Sequence, residues 1–277
     1  MRKMIFLTMM IHGLLSADHH KIQMMLTVPR TVSTAFEKSM RARKDHKIFH
    51  EPFDTSYFCH QGHHEILQQQ PSQELIEAKN YSEVKALIYR HAEQGPVFFK
   101  DMIWCIENEI LNDDALIADP DVIVSILIRN PACSIESWYE EIADAGIKDE
   151  PNVFRYDALV EFAEKYKQAR GEWPIIIEAE DLCSDPEAAM KFFCKKAGIQ
   201  YMPEMLSWEE GMPEEWKPLA NWHIGAAIST SFHVLKRDRE APIFSKIPVS
   251  YVSKLRAICQ QQTPYYEALR KMKQLVE

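Results

Sequence analysis

Ile22-Gln-Met-Met-Leu-Thr-Val-Pro-Arg-Thr-Val-Ser-Thr34 is the stretch on which the fold of this 277-residue chain turns. Ile22–Val28 is an apolar run without charge, the pattern of a strand covered on both faces, as in a parallel sheet. It breaks at Pro29 and passes through Arg30 and Thr31 into Ser33–Lys44, where Phe36 and Met40 stand one helical turn apart. A buried strand that runs straight into a helix is the opening half of a strand–helix–strand unit.

The same reading extends along the chain. Ile48–His50, Val97–Phe99, Val122–Ile128 and Ile175–Ala179 are further strand candidates, each short, apolar and rich in β-branched or aromatic residues. Ala132–Ala143 reads as a helix behind Pro131, a residue suited to a first helical position. Ser184–Ala197 opens with Ser184 and Glu187 at capping-box spacing and closes on Gly198. This alternation predicts an α/β fold: a central, mostly parallel sheet of about five strands flanked by helices. Residues 51–72 read as loop or short helix. Residues 201–250, which hold Trp208, Trp216 and Trp222 among five prolines, read as a loop-rich cap. The tail from about Tyr251 has helical amphipathicity, with an interruption expected near Pro264. Residues 21–277 are expected to form a single domain.

Composition narrows the function. The chain has 8 glycines, no two closer than thirteen positions. That excludes a G-x-G-x-x-G fingerprint, a Walker loop and a kinase glycine loop, each of which crowds glycines together. Net charge is −9, from 32 basic and 41 acidic residues, with no block of like charge. Neither a nucleic-acid arm nor a polybasic membrane anchor is expected. The 6 cysteines include no C-x-x-C pair and read as reduced thiols. Five of the 11 histidines, at 46, 50, 60, 63 and 64, cluster beside Cys59, but without a second ligand pair at metal spacing, so no metal is expected. Arg2 and Lys3 followed by the apolar run Met4–Leu15 have the shape of a secretory signal, interrupted by His12 and Gly13 and too short to span a bilayer. The expected address is the cytoplasm, the alternative being export or delivery to another compartment.

In open α/β sheets ligands bind beyond the carboxyl ends of the strands. The first strand ends in Pro29-Arg30-Thr31-Val32-Ser33-Thr34, where a helix N-terminus, three hydroxyls and a guanidinium make an anion site. Beyond Ile128 stand Arg129, Asn130 and Pro131, with Ser137 in the second turn of the next helix, close enough for arginine and serine to grip one phosphate. Alone, the first reads equally well as an ordinary Ser/Thr helix cap after a chance arginine, and the second as an arginine paired with an acidic neighbour beside a solvent-facing helix serine.

Together the two constellations resemble the sulfotransferases that use 3′-phosphoadenosine 5′-phosphosulfate (PAPS). That family has a first turn like P-[KR]-[ST]-G-[ST]-[ST] around the 5′-phosphosulfate and a segment like R-[ND]-P-x-x-x-x-x-S around the 3′-phosphate. Pro29, Arg30, Thr31, Ser33 and Thr34 match the first; Arg129, Asn130, Pro131 and Ser137 match the second. His50-Glu-Pro-Phe53, Phe98-Phe-Lys-Asp-Met102, Glu180–Pro186 and Ile228–Phe232 extend the likeness, toward a bacterial-type branch, over roughly residues 22–235. Val32 departs from it, standing where the family often has glycine. Ile103-Trp104-Cys105 follow Met102 where related sequences often carry histidines.

The resemblance implies a P-loop-NTPase-like sulfotransferase fold and an enzyme moving a sulfuryl group from PAPS to a hydroxyl or amine of a small-molecule or glycan acceptor. It implies nucleotide contacts at Arg30, Thr31, Val32, Ser33, Thr34, Arg129 and Ser137. Such a displacement needs a base for the acceptor proton and cations for the leaving phosphate. Arg30 and Lys100 suit the second task. Glu51, just past the second strand, is the expected base, with His50 and Asp101 as runners-up. The alternatives are a non-catalytic nucleotide- or partner-binding module on the same fold, or a small-molecule kinase.

Overall fold

The computed structural model describes residues 21–60, 67–145, 153–233, 235, 244–245 and 247–274. The signal-like segment 1–20 and the histidines at 63 and 64 lie outside the described residues. Five strands, β1 (Ile22–Thr27), β2 (Lys47–His50), β3 (Val97–Met102), β4 (Val122–Ile128) and β5 (Ile175–Glu178), form one parallel sheet in the order β2-β3-β1-β4-β5. All five occur where the apolar runs predict them. β3 runs on to Met102, so Lys100 lies inside the strand and not at its tip.

Every residue of β1 is buried, and successive side chains go to opposite faces. Ile22, Met24 and Leu26 join one core with Val97, Phe99, Val124 and Ile126. Met25 joins the other with Phe98, Leu127, Ile175 and Ile177. The helix Ser33–Ala42 covers the second face, where Phe36 meets Phe193 edge-on at 4.9 Å. With β1 central, the connection after it leads to one side of the sheet and the later strands β4 and β5 lie on the other. A crevice therefore opens beyond its carboxyl end.

Local readings fail where tertiary packing outweighs them. The tail is one helix, Val249–Gln274, that runs through Pro264. Buried Leu255, Gln262, Tyr266, Leu269 and Met272 recur on one side of it, so packing on both flanks of the exposed proline carries the helix across the lost hydrogen bond. Ser184 does not cap: it ends the helix Ala179–Ser184, and Asp185 caps Pro186–Ala197 by accepting from the Ala188 N–H at 3.1 Å. The helices Tyr81–Ala92, Ile103–Ile110 and Tyr156–Arg170 add to those singled out from the sequence. Part of the polar stretch after His50 is also helical, Pro52–His60.

Three non-glycine residues near the crevice hold left-handed backbone: Arg30 (φ 64°), Val32 (φ 63°) and Glu51 (φ 43°). For a β-branched residue this conformation is strained, and glycine would adopt it freely. Replacing Val32 by alanine keeps the strain of about 1–2 kcal/mol, whereas glycine removes it. Val32→Gly is therefore expected to be at least as stable as Val32→Ala in urea unfolding, the reverse of the usual order for these two residues.

Candidate functional site

A cavity of about 700 Å³ opens at the carboxyl end of β1, and the whole turn from Pro29 to Ala35 lines it. Val32 is the N-cap of the helix Ser33–Ala42 and offers no side-chain cap, so the first N–H groups of that helix are left for another acceptor. Such a terminus favours an anion. Ser33 and Thr34 line the cavity. Thr31 lines it too but is fully buried. Its Oγ1 bonds Thr27 Oγ1 at 2.6 Å and the Val28 carbonyl at 3.2 Å, which fastens the turn to β1.

The second constellation packs against the first. Arg30 Nε donates to Ser137 Oγ at 3.2 Å, and Arg129 Nη1 donates to the Arg30 carbonyl at 2.9 Å. Two segments 99 positions apart thus form one wall. Asn130 Oδ1 accepts from the Ala132 N–H at 3.0 Å, which starts the helix Pro131–Ala145 and sets Ser137 in its second turn. Tyr156 Oη donates to the Arg129 carbonyl at 2.6 Å. Arg129 Nε is buried with no partner among the described residues, a donor that suits an anionic ligand.

Glu51 also lines the cavity, at the end of β2. Its N–H donates to the Lys100 carbonyl at 3.0 Å, continuing the β2–β3 ladder by one residue, and its carboxylate accepts from Lys100 Nζ. Burial would raise the Glu51 pKa, but Lys100 and the neighbouring imidazoles outweigh it and hold the carboxyl down to about 2. Lys100 is fully buried and lies behind Glu51, not in the cavity wall. Asp101 takes the Phe53, Asp54 and Met102 N–H groups at 2.7, 3.2 and 2.9 Å, the work of a cap for the helix Pro52–His60. Burial, then the charge of Glu51, pushes Asp101 up to about 7. Asp54, in the cavity wall, is raised for the same reasons and by Asp101.

His50 faces away from the wall into a network that sequence reasoning missed. Its Nδ1 donates to Glu37 Oε2 at 2.6 Å, and its Nε2 lies 2.9 Å from His223 Nε2. Glu37, with no exposed surface, also accepts from Trp216 Nε1 at 2.8 Å and Arg41 Nε at 2.9 Å. His223 lines the cavity, and burial, then the repulsion that a second charged imidazole beside His50 would meet, lowers its pKa to about 3. Trp216 and His223 come from the segment Glu214–His223, far from the motifs in sequence and without a signature there. Tyr57, Phe58, Trp104, Trp138 and Trp222 give the rest of the wall an aromatic character. Ligand atoms of His50, Glu51 and His223 lie within 4.8 Å of one another, yet a cation there would have to displace the Lys100 ammonium already on Glu51. The six cysteines are free. No helix among the described residues is long and apolar enough to cross a membrane.

The family described as "Sulfotransferase domain" matches residues 21–270. Two Arabidopsis thaliana proteins, branched-chain-amino-acid aminotransferase-like proteins 2 and 1, are 27% identical over 257 residues and 25% identical over 254. Each match takes in 88% of this chain and 40% of the relative, so the chain spans less than half the length of those plant proteins. The solved sulfotransferase domain from the curacin biosynthetic pathway shares the fold, with a TM-score of 0.55 at 16% identity over 87% of this chain and 97% of that one.

The buried, neutral His223 has a consequence for stability. In the unfolded chain its imidazole titrates near 6.5, in the folded protein near 3, so the unfolded chain binds the proton first as pH falls. Stability contributed by this group is complete above pH 6.5 and is lost on the way down to pH 3. Asp101, raised to about 7, works in the opposite direction over the same range in both proteins. The melting-temperature difference between wild type and His223→Gln, measured from about pH 6.5 to 4.5, should therefore move in favour of the variant as pH falls.

Proposed function

The chain belongs to the sulfotransferase family, and on that premise we propose that it transfers a sulfuryl group from PAPS to a hydroxyl or amine of a small-molecule acceptor, in the cytoplasm. The observation that carries this reading is the contact between Arg30 and Ser137, which joins the two arginine-bearing segments on one cavity wall. Bound PAPS would supply the activated sulfur–oxygen bond. Arg30, Ser33, Thr34 and the open helix terminus would hold its 5′-phosphosulfate, and Arg129 and Ser137 its 3′-phosphate. The unpartnered Arg129 Nε and the uncapped helix start suit such an occupant.

Within this reading Glu51 and Lys100 act as a pair. Paired with Lys100, Glu51 is a weak base; it gains basicity when the Lys100 ammonium is drawn toward sulfuryl oxygens. Glu51 then takes the acceptor's proton, with Lys100 behind it as electrostatic support, while Arg30 faces the charge that builds on the leaving phosphate. The aromatic wall favours an acceptor whose hydroxyl sits on an apolar body over a polyanionic glycan.

Two measurements test the reading. Calorimetry should find 3′-phosphoadenosine 5′-phosphate binding more tightly than AMP, with Arg129→Ala weakening it by about 30-fold or more. Equal binding of the two nucleotides would remove the 3′-phosphate assignment. Glu51→Gln should lower kcat by roughly 10²–10⁴-fold with nucleotide affinity retained. Unchanged turnover would remove Glu51 as the base and leave the donor assignment standing.

A further inference from the structure

His223 is buried to 4% exposure, lines the cavity and keeps one ring nitrogen unclaimed: its Nδ1 is buried with no hydrogen-bond partner among the described residues. Its other nitrogen, Nε2, lies 2.9 Å from His50 Nε2. His50 Nδ1 lies 2.6 Å from Glu37 Oε2. Glu37 is ionised, held so by His50 and Arg41 against the effect of burial, so the proton of that bond sits on His50 Nδ1. At 2.9 Å the two Nε2 atoms share one hydrogen. With both rings neutral that hydrogen belongs to His223, and the lone pair of His223 Nδ1 stays unshared on a residue that lines the cavity.

We infer that Glu37, His50 and His223 form a proton relay leading from the cavity into the protein. The acceptor oxygen bonds to sulfur as the bond from sulfur to the phosphate oxygen breaks, and the acceptor's proton passes to His223 Nδ1. The hydrogen on His223 Nε2 moves to His50 Nε2. The positive charge comes to rest on His50, 2.6 Å from Glu37 and 3.6 Å from Glu51. His223 never has to keep the charge that its burial disfavours. In this scheme His223 is a catalytic residue, and His50 and Glu37 are positioning residues. The charged groups facing the two rings are Glu37, Glu51 and Lys100. The relay rests on the sulfotransferase reading and adds a proton path that stays open while Lys100 remains on Glu51.

The test pairs kinetics with a spectroscopic readout. His223→Ala and His223→Gln are expected to lower kcat by roughly 10²-fold or more, with acceptor KM within about threefold of wild type. Their affinity for 3′-phosphoadenosine 5′-phosphate should be unchanged. Glu51→Gln should keep a residual turnover that the double variant Glu51→Gln/His223→Gln loses. In the wild-type protein, ¹⁵N-histidine NMR should show His223 with a bare Nδ1 and a protonated Nε2. Wild-type turnover in both single His223 variants, with no added loss in the double variant, would overturn the relay. So would a spectrum with the His223 proton on Nδ1. Failure of the nucleotide to bind would instead sink the donor assignment, and the NMR result would still decide the relay.

Discussion

Glu37 has no exposed surface, and removing a carboxylate from water costs several kcal/mol unless hydrogen bonds and opposite charge replace its hydration. Its partners come from three places: Arg41 one turn along the same helix, His50 at the end of β2, and Trp216 in the segment Glu214–His223. Meeting the needs of this one group therefore fastens the cap to the edge of the sheet. The cap in turn carries Leu219, Trp222 and His223 to the cavity. A buried acid that looks like a core anomaly thus positions much of the wall that an acceptor would meet.

A second buried charge is handled in the same way. Lys100 sits inside β3 with no exposure, and Glu51 answers it from the end of β2. Glu51 makes this contact while its backbone holds a left-handed conformation, φ 43°. One ionised carboxylate so placed makes ionisation of Asp101 and Asp54 harder. The site thus has cationic donors and an open helix end on the β1 side, and crowded carboxyls and imidazoles on the β2 side. That separation suits a reaction in which negative charge grows at one end and a proton leaves at the other.

Much of this was legible in the chain. The five strands stand where apolar runs bounded by turn residues place them, because parallel strands buried on both faces need apolar side chains at nearly every position. That Arg30, Thr31, Ser33, Thr34, Arg129 and Ser137 lie at strand ends and helix starts around one cavity was legible because such ends can be located from local pattern. Pro264 misled because a local rule about proline says nothing of the buried residues on either side of it. Ser184 misled because Asp185, one position on, is the cap the helix uses.

The sequence by itself determined the sheet, the absence of a glycine cradle and the two arginine-bearing turns, since these depend on side chains within a few positions of one another. Only the tertiary structure decided how Val32 replaces glycine, by holding a left-handed backbone within the turn. It also decided that Glu51 is tied to Lys100 and that His50 turns inward to Glu37. The pairing of His50 with His223 spans 173 positions. Contacts at that separation follow from how the cap folds back over the sheet, to which each residue's neighbours in sequence give no clue.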